Sequence, residues 1–286
     1  MTSTAMQLAR LFACAVAGLL AAGTRAEDVQ PSKNAGPYVP SPQSVVADML
    51  KVAGVGPDDF VIDLGSGDGR IVLTAAKVFG ARGFGVEIKD ELVRLSNESA
   101  KREGLADRVK FVKQDLFKTD ISQATVLTMY LLPDTVNMLK EKLLAELRPG
   151  TRIISHDYPL SGWIPEDFKQ MDLQDKIAIS GVTTTLIYLY VVPAKVQGNW
   201  TAKMPPAVSK HPATLQLKQQ LTRVNGSLVL DGREIPLEEA KLRGDRLSFR
   251  LAGRKGDFTG QVKGKSIEGM IDNGVSKAPW SAALGS

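Results

Sequence analysis

The residues best suited to chemistry form a glycine-rich loop after a short apolar segment. The loop consists of five consecutive residues: Gly65, Ser66, Gly67, Asp68 and Gly69. Glycines allow a backbone to approach a ligand closely and to turn sharply into a following helix. Asp63 lies just before the loop, where a carboxylate repels a pyrophosphate and attracts a cation. The loop therefore predicts a nucleotide-type cofactor site that favours positive charge.

Two more carboxylates lie at the ends of the next two predicted strands. Glu87 ends the segment 83–88, where a carboxylate can bond both hydroxyls of a ribose. Asp115 follows the segment 109–112, in a position suited to the amino group of an adenine. An adenosine that carries a sulfonium and an ammonium suits this acid-lined pocket better than a dinucleotide does. Each acid taken singly can also be a solvated strand-end residue, so the prediction rests on the ordered set.

These residues require a sheet whose strands end at one edge. Short apolar runs alternate with segments of helical spacing, which predicts an α/β fold with a doubly wound, mostly parallel seven-stranded sheet. The predicted strands are 60–64, 83–88, 109–112, 125–131, 151–155, 177–179 and 183–192. The first predicted helix is capped by Ser41, and the others cover 70–79, 90–103 and 134–147. Ligands of such sheets bind beyond the carboxyl ends of the strands.

The composition and the residue pattern of the sequence change after residue 194. Residues 195–212 are rich in Pro, Lys and Ala and predict a linker. Residues 213–286 alternate apolar and polar positions between hairpin signals such as Asn225-Gly226, which predicts a small antiparallel β-meander of five or six strands. From residue 195 onward, 15 Lys and Arg stand against 8 Asp and Glu. This basic unit can contact an acidic partner, an anionic lipid or RNA, although scarce aromatic residues favour a solvated face.

Composition limits the available chemistry. Of the 286 residues, 43% are hydrophobic and 23% are charged, which is typical of globular proteins. One Cys and two His exclude a disulfide scaffold and a Cys/His zinc cluster, so we predict no metal. A formal net charge of +5 is too small to indicate nucleic acid as a partner.

The N-terminal region predicts targeting rather than catalysis. In residues 1–26, Arg10 precedes an apolar run, and Thr24 and Ala26 offer the small residues of a cleavage site. We expect a signal peptide or an N-terminal anchor, which makes the protein exported (periplasmic) or membrane-anchored. Residues 27–40 form a polar lead-in, and residues 41–194 form the domain that carries the chemistry.

The sequence resembles the class I, seven-stranded, Rossmann-like methyltransferases that depend on S-adenosylmethionine. Residues 61–70 (VIDLGSGDGR) are similar to their first motif, and Glu87 and Asp115 match the acids of their second and third strands. Within that superfamily the chain looks most like the mitochondrial lysine methyltransferases of the ATP-synthase c-subunit and the adenine nucleotide translocase, and their bacterial relatives. The shorter matches are PYVPS (37–41), DGR (68–70), YLLP (130–133) and SHD (155–157). The export-like signal and the C-terminal unit depart from the family.

The resemblance implies S-adenosyl-L-methionine as the cofactor and direct in-line methylation of a lysine nitrogen in a protein substrate. The residues implied to hold the cofactor are Asp63, Gly65, Ser66, Gly67, Asp68, Gly69, Glu87, Asp115 and Leu116.

The catalytic candidates lie at predicted strand ends and in the lead-in. Tyr130 follows the fourth strand, where this fold places its acceptor, and Tyr38 can fold over the cofactor. His156 and Asp157 follow the fifth strand and can orient an acceptor or relay a proton. Each also has a structural interpretation: a half-buried strand residue for Tyr130, a loop anchor for Tyr38, and a hydrogen-bonding pair for the other two.

Three other functions compete with protein-lysine methylation. A small-molecule acceptor is the nearest. An NAD(P)-binding oxidoreductase is disfavoured because the loop spells GSGDG and follows Asp63. An exported, non-catalytic binding protein that keeps the fold is the third, because S-adenosylmethionine is made in the cytosol and an exported enzyme lacks an obvious supply.

Overall fold

The structure is a computed structural model that describes residues 38–177 and 181–285. The predicted targeting segment 1–26 and most of the lead-in 27–40 lie outside the described residues. Among the described residues, no helix is long and apolar enough to cross a membrane.

A seven-stranded sheet forms the first part of the described chain. Its strands are β1 (Phe60–Leu64), β2 (Arg82–Glu87), β3 (Val109–Lys113), β4 (Val126–Met129), β5 (Arg152–His156), β6 (Asp167–Asp172) and β7 (Thr184–Val191). They are arranged in the order β3-β2-β1-β4-β5-β7-β6. The pairs among β1 to β5 are parallel, whereas β7 runs antiparallel to β5 and β6. The predicted doubly wound, mostly parallel sheet is confirmed.

Helices cover both faces of this sheet. They are α1 (Gln43–Val52), α2 (Arg70–Phe79), α3 (Asp90–Arg102) and α4 (Pro133–Glu146). Successive residues of β1 point to opposite faces, so Val61 packs with α1 and α2 while Ile62 packs with α4. Proline at the start of α4 fits its first turn, where the missing amide donor is not needed. Because the layers are apolar, the polar residues are left at the strand ends.

The sixth strand differs from the predicted one. The segment 177–179 was expected to form it, but β6 covers Asp167–Asp172. Ile177 follows a short 3-10 turn, Gln174–Lys176, and residues 178 and 179 lie outside the described residues. The side chains of β6 are almost all exposed because it is an edge strand, so the sequence carries no alternation of apolar and polar residues there.

The C-terminal part is a closed antiparallel barrel. Its strands are β8 (Gly198–Lys203), β9 (Ala213–Gln220), β10 (Arg223–Leu230), β11 (Arg233–Arg243), β12 (Arg246–Leu251), β13 (Asp257–Lys263), β14 (Ser266–Asp272) and β15 (Lys277–Leu284). The antiparallel prediction is confirmed, but the sheet has more strands than expected. Strand β8 lies inside the predicted linker 195–212 and closes the barrel between β9 and β15.

Aromatic and aliphatic side chains together fill the barrel. The rings of Phe249 and Phe258 stack at 4.8 Å, and Trp280 meets each of them edge-on. A Cβ atom on Gly269 would lie 2.5 Å from Nε1 of Trp280, so the strand needs glycine where the indole crosses it. The interior is therefore a packed apolar core.

The barrel contacts the sheet at the edge opposite the carboxyl ends of the parallel strands. The Ala194 amide donates to the Gly244 carbonyl at 2.8 Å, and Arg243 pairs with Glu166 at 2.7 Å. A Cβ atom on Gly244 would lie 2.9 Å from the Cα atom of Gly150, which precedes β5. The barrel is thus attached away from the edge where ligands of such sheets bind.

Candidate active site

The glycine loop turns tightly between β1 and α2. The amides of Gly65 and Ser66 both donate to the Val86 carbonyl at 2.9 Å. Gly67 has a φ of 53°, in the left-handed region that favours glycine. A Cβ atom on Gly67 would lie 2.5 Å from Cε2 of Tyr38, so the aromatic ring lies directly over the loop. The loop can therefore present its backbone closely to a ligand.

Asp63 ends up as a buried carboxyl beneath the loop. It is 2% exposed, and Thr128 Oγ1 donates to its Oδ1 at 2.7 Å. Burial raises the pKa of Asp63 to about 7; the Thr128 hydrogen bond opposes the rise, and the charges of Glu87 and Asp68 add to it. A buried carboxyl beside two other acids is stabilised by a cation. This donor set fits a cofactor that carries positive charge.

Glu87 connects the loop to the end of β2. Its Oε2 accepts from the Gly67 amide at 3.1 Å. Its Oε1 accepts from the amides of Ile88 at 2.8 Å and Lys89 at 3.0 Å. The carboxylate therefore lies beside the glycine loop, where the sequence predicts a ribose contact.

Asp115 lies next to Glu87 at the end of the neighbouring strand. The Gln114 amide donates to the Glu87 carbonyl at 3.0 Å, which joins the two strand ends. Asp115 Oδ1 accepts from the Phe117 amide at 2.9 Å and thereby caps the 3-10 turn Leu116–Lys118. The structure thus brings Asp63, the loop, Glu87, Asp115 and Leu116 to one edge, although the ligand contact of each remains a prediction.

Asp68 is held inside the loop region by an arginine. Arg70 Nη2 lies 2.6 Å from Asp68 Oδ2, and Arg70 Nη1 donates to the Ser41 carbonyl at 2.7 Å. Burial alone would raise the pKa of Asp68, but the hydrogen bonds and charge of Arg70 hold it below its ordinary value. Burial and then the charge of Asp68 raise the pKa of the Tyr38 hydroxyl. Arg70 thus ties the glycine loop to the segment before α1.

Ser41 does not cap α1 as predicted. Pro42 occupies the cap position, and no side chain caps the helix. The Ser41 hydroxyl instead lies 2.9 Å from His156 Nδ1 in a buried contact. Because the helix begins at Gln43, one residue later than predicted, Ser41 lies before the cap position and its hydroxyl faces the end of β5 instead.

Tyr130 and His156 meet at the ends of β4 and β5. Their ring centroids are 3.9 Å apart with an interplanar angle of 31°. His156 is fully buried, and burial lowers its pKa to about 4, with Lys176 lowering it further and Asp157 opposing. The imidazole is therefore neutral near pH 7. Burial, followed by the charge of Asp157, raises the pKa of Tyr130, so its hydroxyl also stays uncharged.

Asp157 has an unusual backbone next to this ring pair. Its φ is 63°, a left-handed conformation that is rare for residues other than glycine. Its Oδ2 lies 3.6 Å from His156 Nε2, an atom that has no hydrogen-bond partner among the described residues. Strained residues of this kind cluster at functional sites. Among the described residues, no group of His, Cys, Asp or Glu could hold a metal ion.

Comparison with known proteins decides the class to which this site belongs. A family model described as the ANTKMT methyltransferase domain matches residues 63–167. A protein-lysine N-methyltransferase of Saccharolobus islandicus (strain REY15A) is 45% identical over 157 residues, covering 54% of this chain and 93% of the relative. The chain belongs to this family of S-adenosylmethionine-dependent methyltransferases.

Two animal members of the family match over a smaller share of their length. The lysine N-methyltransferase of the ATP-synthase c-subunit from Xenopus laevis is 35% identical, covering 46% of this chain and 57% of the relative. The adenine nucleotide translocase lysine N-methyltransferase of Mus musculus is 33% identical, covering 54% of this chain and 63% of the relative. The chain thus spans less than two thirds of either protein. The resemblance predicted from the sequence is confirmed.

A solved structure supports the cofactor assignment. An RNA methyltransferase from Salinibacter ruber, in complex with S-adenosyl-L-homocysteine, is 43% identical with a TM-score of 0.50, covering 55% of this chain and 96% of that one. S-adenosylhomocysteine is the demethylated product of S-adenosylmethionine. The prediction that S-adenosylmethionine is the cofactor is confirmed, and the chain is an enzyme of the methyltransferase class.

The sequence indicated no role for two polar residues of the site: Thr128, which donates to Asp63, and Lys176, which binds Asp157. It predicted Ser41 only as a helix cap, whereas Arg70, part of the DGR match, forms an ion pair with Asp68. The sequence places Lys176 in a connection before β7 with no motif around it. Its role becomes visible only when the chain folds this connection against the end of β5.

Proposed function

We propose that this protein transfers the methyl group of S-adenosylmethionine to the side-chain amine of a lysine in a protein substrate, by direct in-line displacement. The observation that carries the proposal is the contact between two uncharged rings, Tyr130 and His156, at the neighbouring carboxyl ends of β4 and β5. The lysine specificity named for the 45%-identical relative supports the choice of acceptor.

The chain's own residues bind and orient the reactants. Asp63 would stabilise the positive end of the cofactor, and Glu87 and Asp115 would hold its adenosine. When bound, the cofactor would supply an electrophilic methyl group on a positive sulfur, with S-adenosylhomocysteine as the leaving group and no covalent enzyme intermediate. The protein would contribute orientation and exclusion of water.

The acceptor must arrive as a neutral amine. A lysine has a pKa of about 10.4, so a neutral amine at pH 7 costs about 4–5 kcal/mol at about 1.36 kcal/mol per unit. A slot that is poor in water and beside a cation lowers this cost. The neutral His156 and Tyr130 place no negative charge against the amine. The faces of Tyr38 and Tyr130 can hold the cationic methylated product.

Localisation and domain organisation are part of the same proposal. Residues 1–26 direct export or anchor the chain, and the chemistry resides in 41–194, with the C-terminal unit as an attached basic domain. N-terminal sequencing of the native protein tests the first point: a start at Glu27 supports cleavage, and a start near Met1 supports an anchor.

The acceptor is tested by incubating the full protein with methyl-tritiated S-adenosylmethionine and a total cell extract. We expect label in protein, released by acid hydrolysis as methylated lysine. Label in RNA, the acceptor class named for the Salinibacter relative, or in small molecules would replace the lysine proposal. Absence of label from every fraction would favour the non-catalytic alternative.

Matched variants identify the source of the label. Asp63→Asn should abolish transfer because it removes the buried charge that faces the cofactor. Glu238→Ala changes an exposed carboxylate of the barrel and should leave transfer unchanged. Equal loss in both variants would mean that the observed transfer does not come from the proposed site.

A further inference from the structure

A buried lysine lies next to Asp157, close to the ends of β4 and β5 where the proposed acceptor binds. Lys176 is 4% exposed, although it belongs to a short 3-10 turn. Its Nζ lies 2.8 Å from Asp157 Oδ1 and 2.7 Å from Asp157 Oδ2, and it donates to the Thr184 carbonyl at 2.6 Å. A lysine is almost never buried unless it is paired. The contact is therefore a built ion pair and not a chance surface contact.

The backbone aims Asp157 at this lysine. The left-handed φ of Asp157 turns its side chain back toward β7, where the Leu186 amide donates to Oδ1 at 3.1 Å. The Asp157 amide also donates to the Leu186 carbonyl at 2.7 Å. The carboxylate is thus fixed from two directions, beside Tyr130 and 3.6 Å from His156 Nε2.

An unpaired carboxylate at this point would oppose the proposed reaction. A negative charge near a lysine acceptor favours the ammonium form and makes the neutral nucleophile rarer. A resident cation next to the carboxylate cancels that effect. The same cation holds the carboxylate in place, so that it can bond the Tyr130 hydroxyl without drawing the acceptor's proton.

We propose that Lys176 is a positioning residue for methyl transfer: it fixes Asp157 and cancels its charge, so that the acceptor slot beside Tyr130 accepts a neutral amine. This inference rests on the proposed lysine methylation. The titratable groups that face Asp157 come from the elements packed around it: Tyr130 from the end of β4, His156 from the end of β5, Tyr188 from β7, and Lys176.

The two histidines of the chain give a direct readout. His156 touches the ion pair, whereas His211 lies outside the site and serves as an internal reference. NMR of histidine-labelled protein follows both rings as pH is varied. In Lys176→Met, loss of the cation leaves Asp157 uncompensated, so the His156 signal should titrate about one pH unit or more higher than in the unaltered protein. Lys176→Arg keeps the charge and should show no shift.

A double variant separates electrostatics from misfolding. Lys176→Met with Asp157→Asn removes both charges, so the His156 titration should return toward that of the unaltered protein. If Lys176→Met merely opened the site to water, both variants would titrate alike at an ordinary histidine pKa. That result, or no shift in Lys176→Met, overturns the assignment.

A kinetic experiment uses the same total cell extract as the source of acceptors. The initial rate of tritium transfer is measured from pH 6.5 to 9.5 at saturating cofactor. We expect the half-maximal pH to rise by about one unit in Lys176→Met, to stay in place in Lys176→Arg, and to return in the double variant. A uniform loss at all pH values with no shift counts against the inference. If the unaltered protein labels no protein at all, the proposed function fails, and the histidine titration still decides the electrostatic role of Lys176.

Discussion

The carboxyl ends and the amino ends of the parallel strands lie at opposite edges of the seven-stranded sheet, and these two edges differ in how deeply their charged side chains are buried. At the carboxyl edge, Asp63, His156 and Lys176 are all buried, and a buried nitrogen of His156 has no partner among the described residues. At the opposite edge, where the barrel is attached, Arg243 and Glu166 form a partly exposed ion pair. Buried polar groups are costly unless they are satisfied. The fully buried charged side chains among the described residues thus lie at the edge that carries the site, whereas Arg152 and Asp59 at the opposite edge are only partly buried and bond each other.

The same contrast holds for backbone strain. Asp157 and Glu239 both have a left-handed φ, at 63° and 51°. Glu239 lies at a register shift between β11 and β12, where the extra residue of a bulge relieves the strand. Asp157 lies at no bulge, and its conformation orients a carboxylate toward Lys176. A left-handed residue in the barrel thus shapes the strand, whereas the one in the site places a functional group.

The sharpest test of this comparison replaces one glycine in each region. Gly67 and Gly232 both have positive φ, at 53° and 77°. A Cβ atom would meet Tyr38 at 2.5 Å in the first and nothing within 4 Å in the second. Gly67→Val should lower methyl transfer by about 100-fold or more, because about 1.4 kcal/mol is tenfold and both the loop and Tyr38 must move.

Gly232→Val is the matched control for that substitution. This substitution adds backbone strain of about 1–2 kcal/mol in a barrel turn, but no steric clash with a neighbouring residue. We expect lower thermal stability with unchanged transfer per folded molecule. Calorimetric titration with S-adenosylhomocysteine measures the binding part of both effects. Equal binding in the two variants would mean that the loop does not hold the cofactor.

A second test destabilises the barrel and measures whether the site still binds S-adenosylhomocysteine. Trp280 is 3% exposed, and its Nε1 donates to the Thr259 carbonyl at 2.9 Å. Trp280→Ala should lower the free energy of unfolding by about 3–5 kcal/mol, as large-to-small core substitutions do. Chemical denaturation followed by circular dichroism measures this loss. Affinity for S-adenosylhomocysteine should be retained, because the barrel contacts the other edge of the sheet.

Val275→Ala is the control for the barrel. Val275 is 95% exposed in the turn before β15, so its truncation should change stability by less than about 0.5 kcal/mol. A loss of cofactor affinity in Trp280→Ala, with the sheet still folded, would show that the two edges are coupled.

The cofactor half of the site could be predicted from sequence because its signals are local. Glu87 ends a strand, Gly67 and Asp115 follow one, and the order of strands in a parallel sheet brings these ends together. The acids and the loop therefore need no knowledge of side-chain packing. The strands that carry them are confirmed almost residue by residue.

The acceptor half depends on long-range contacts that leave no pattern. Lys176 reaches Asp157 only because the antiparallel β7 returns beside β5. Strand β6 is an exposed edge strand without alternation, and β8 alternates only at Trp200 and Ala202, within a stretch whose Pro and Lys residues indicate a linker. Closure of the barrel likewise depends on the pairing of β8 with β15, which is remote in the chain. Tertiary pairing, and not local propensity, fixes these elements.

A third prediction concerns pH and cofactor affinity. Because burial raises the pKa of Asp63 to about 7, the carboxyl is partly protonated at neutral pH in the free protein. A cationic cofactor favours the ionised form, so affinity should rise as pH increases from 6 to 8 and level off above, changing by at most about tenfold per pH unit. Calorimetric titration with S-adenosylmethionine across this range measures the effect.

Asp63→Asn removes the titrating group and should give an affinity that is low and nearly independent of pH. Thr128→Val tests the same carboxyl by removing the hydroxyl that donates a hydrogen bond to it. Loss of the hydrogen bond that opposes the effect of burial should move the rise in affinity to higher pH. A pH-dependent rise that persists in Asp63→Asn would assign it to another acid.

The smallest effect is expected at the opposite edge. Arg243 and Glu166 join the barrel to the sheet, but their side chains are 66% and 36% exposed, so water screens the pair. Such pairs contribute about 0–1 kcal/mol. Arg243→Ala should therefore change the free energy of unfolding by no more than about 1 kcal/mol and leave transfer unchanged. A Cβ atom on Gly244 would lie 2.9 Å from the Cα atom of Gly150. Gly244→Val should therefore lower the free energy of unfolding more than Arg243→Ala does. If Arg243→Ala instead alters the pH dependence of transfer, charge at this edge reaches the acceptor site, and the separation of the two edges fails.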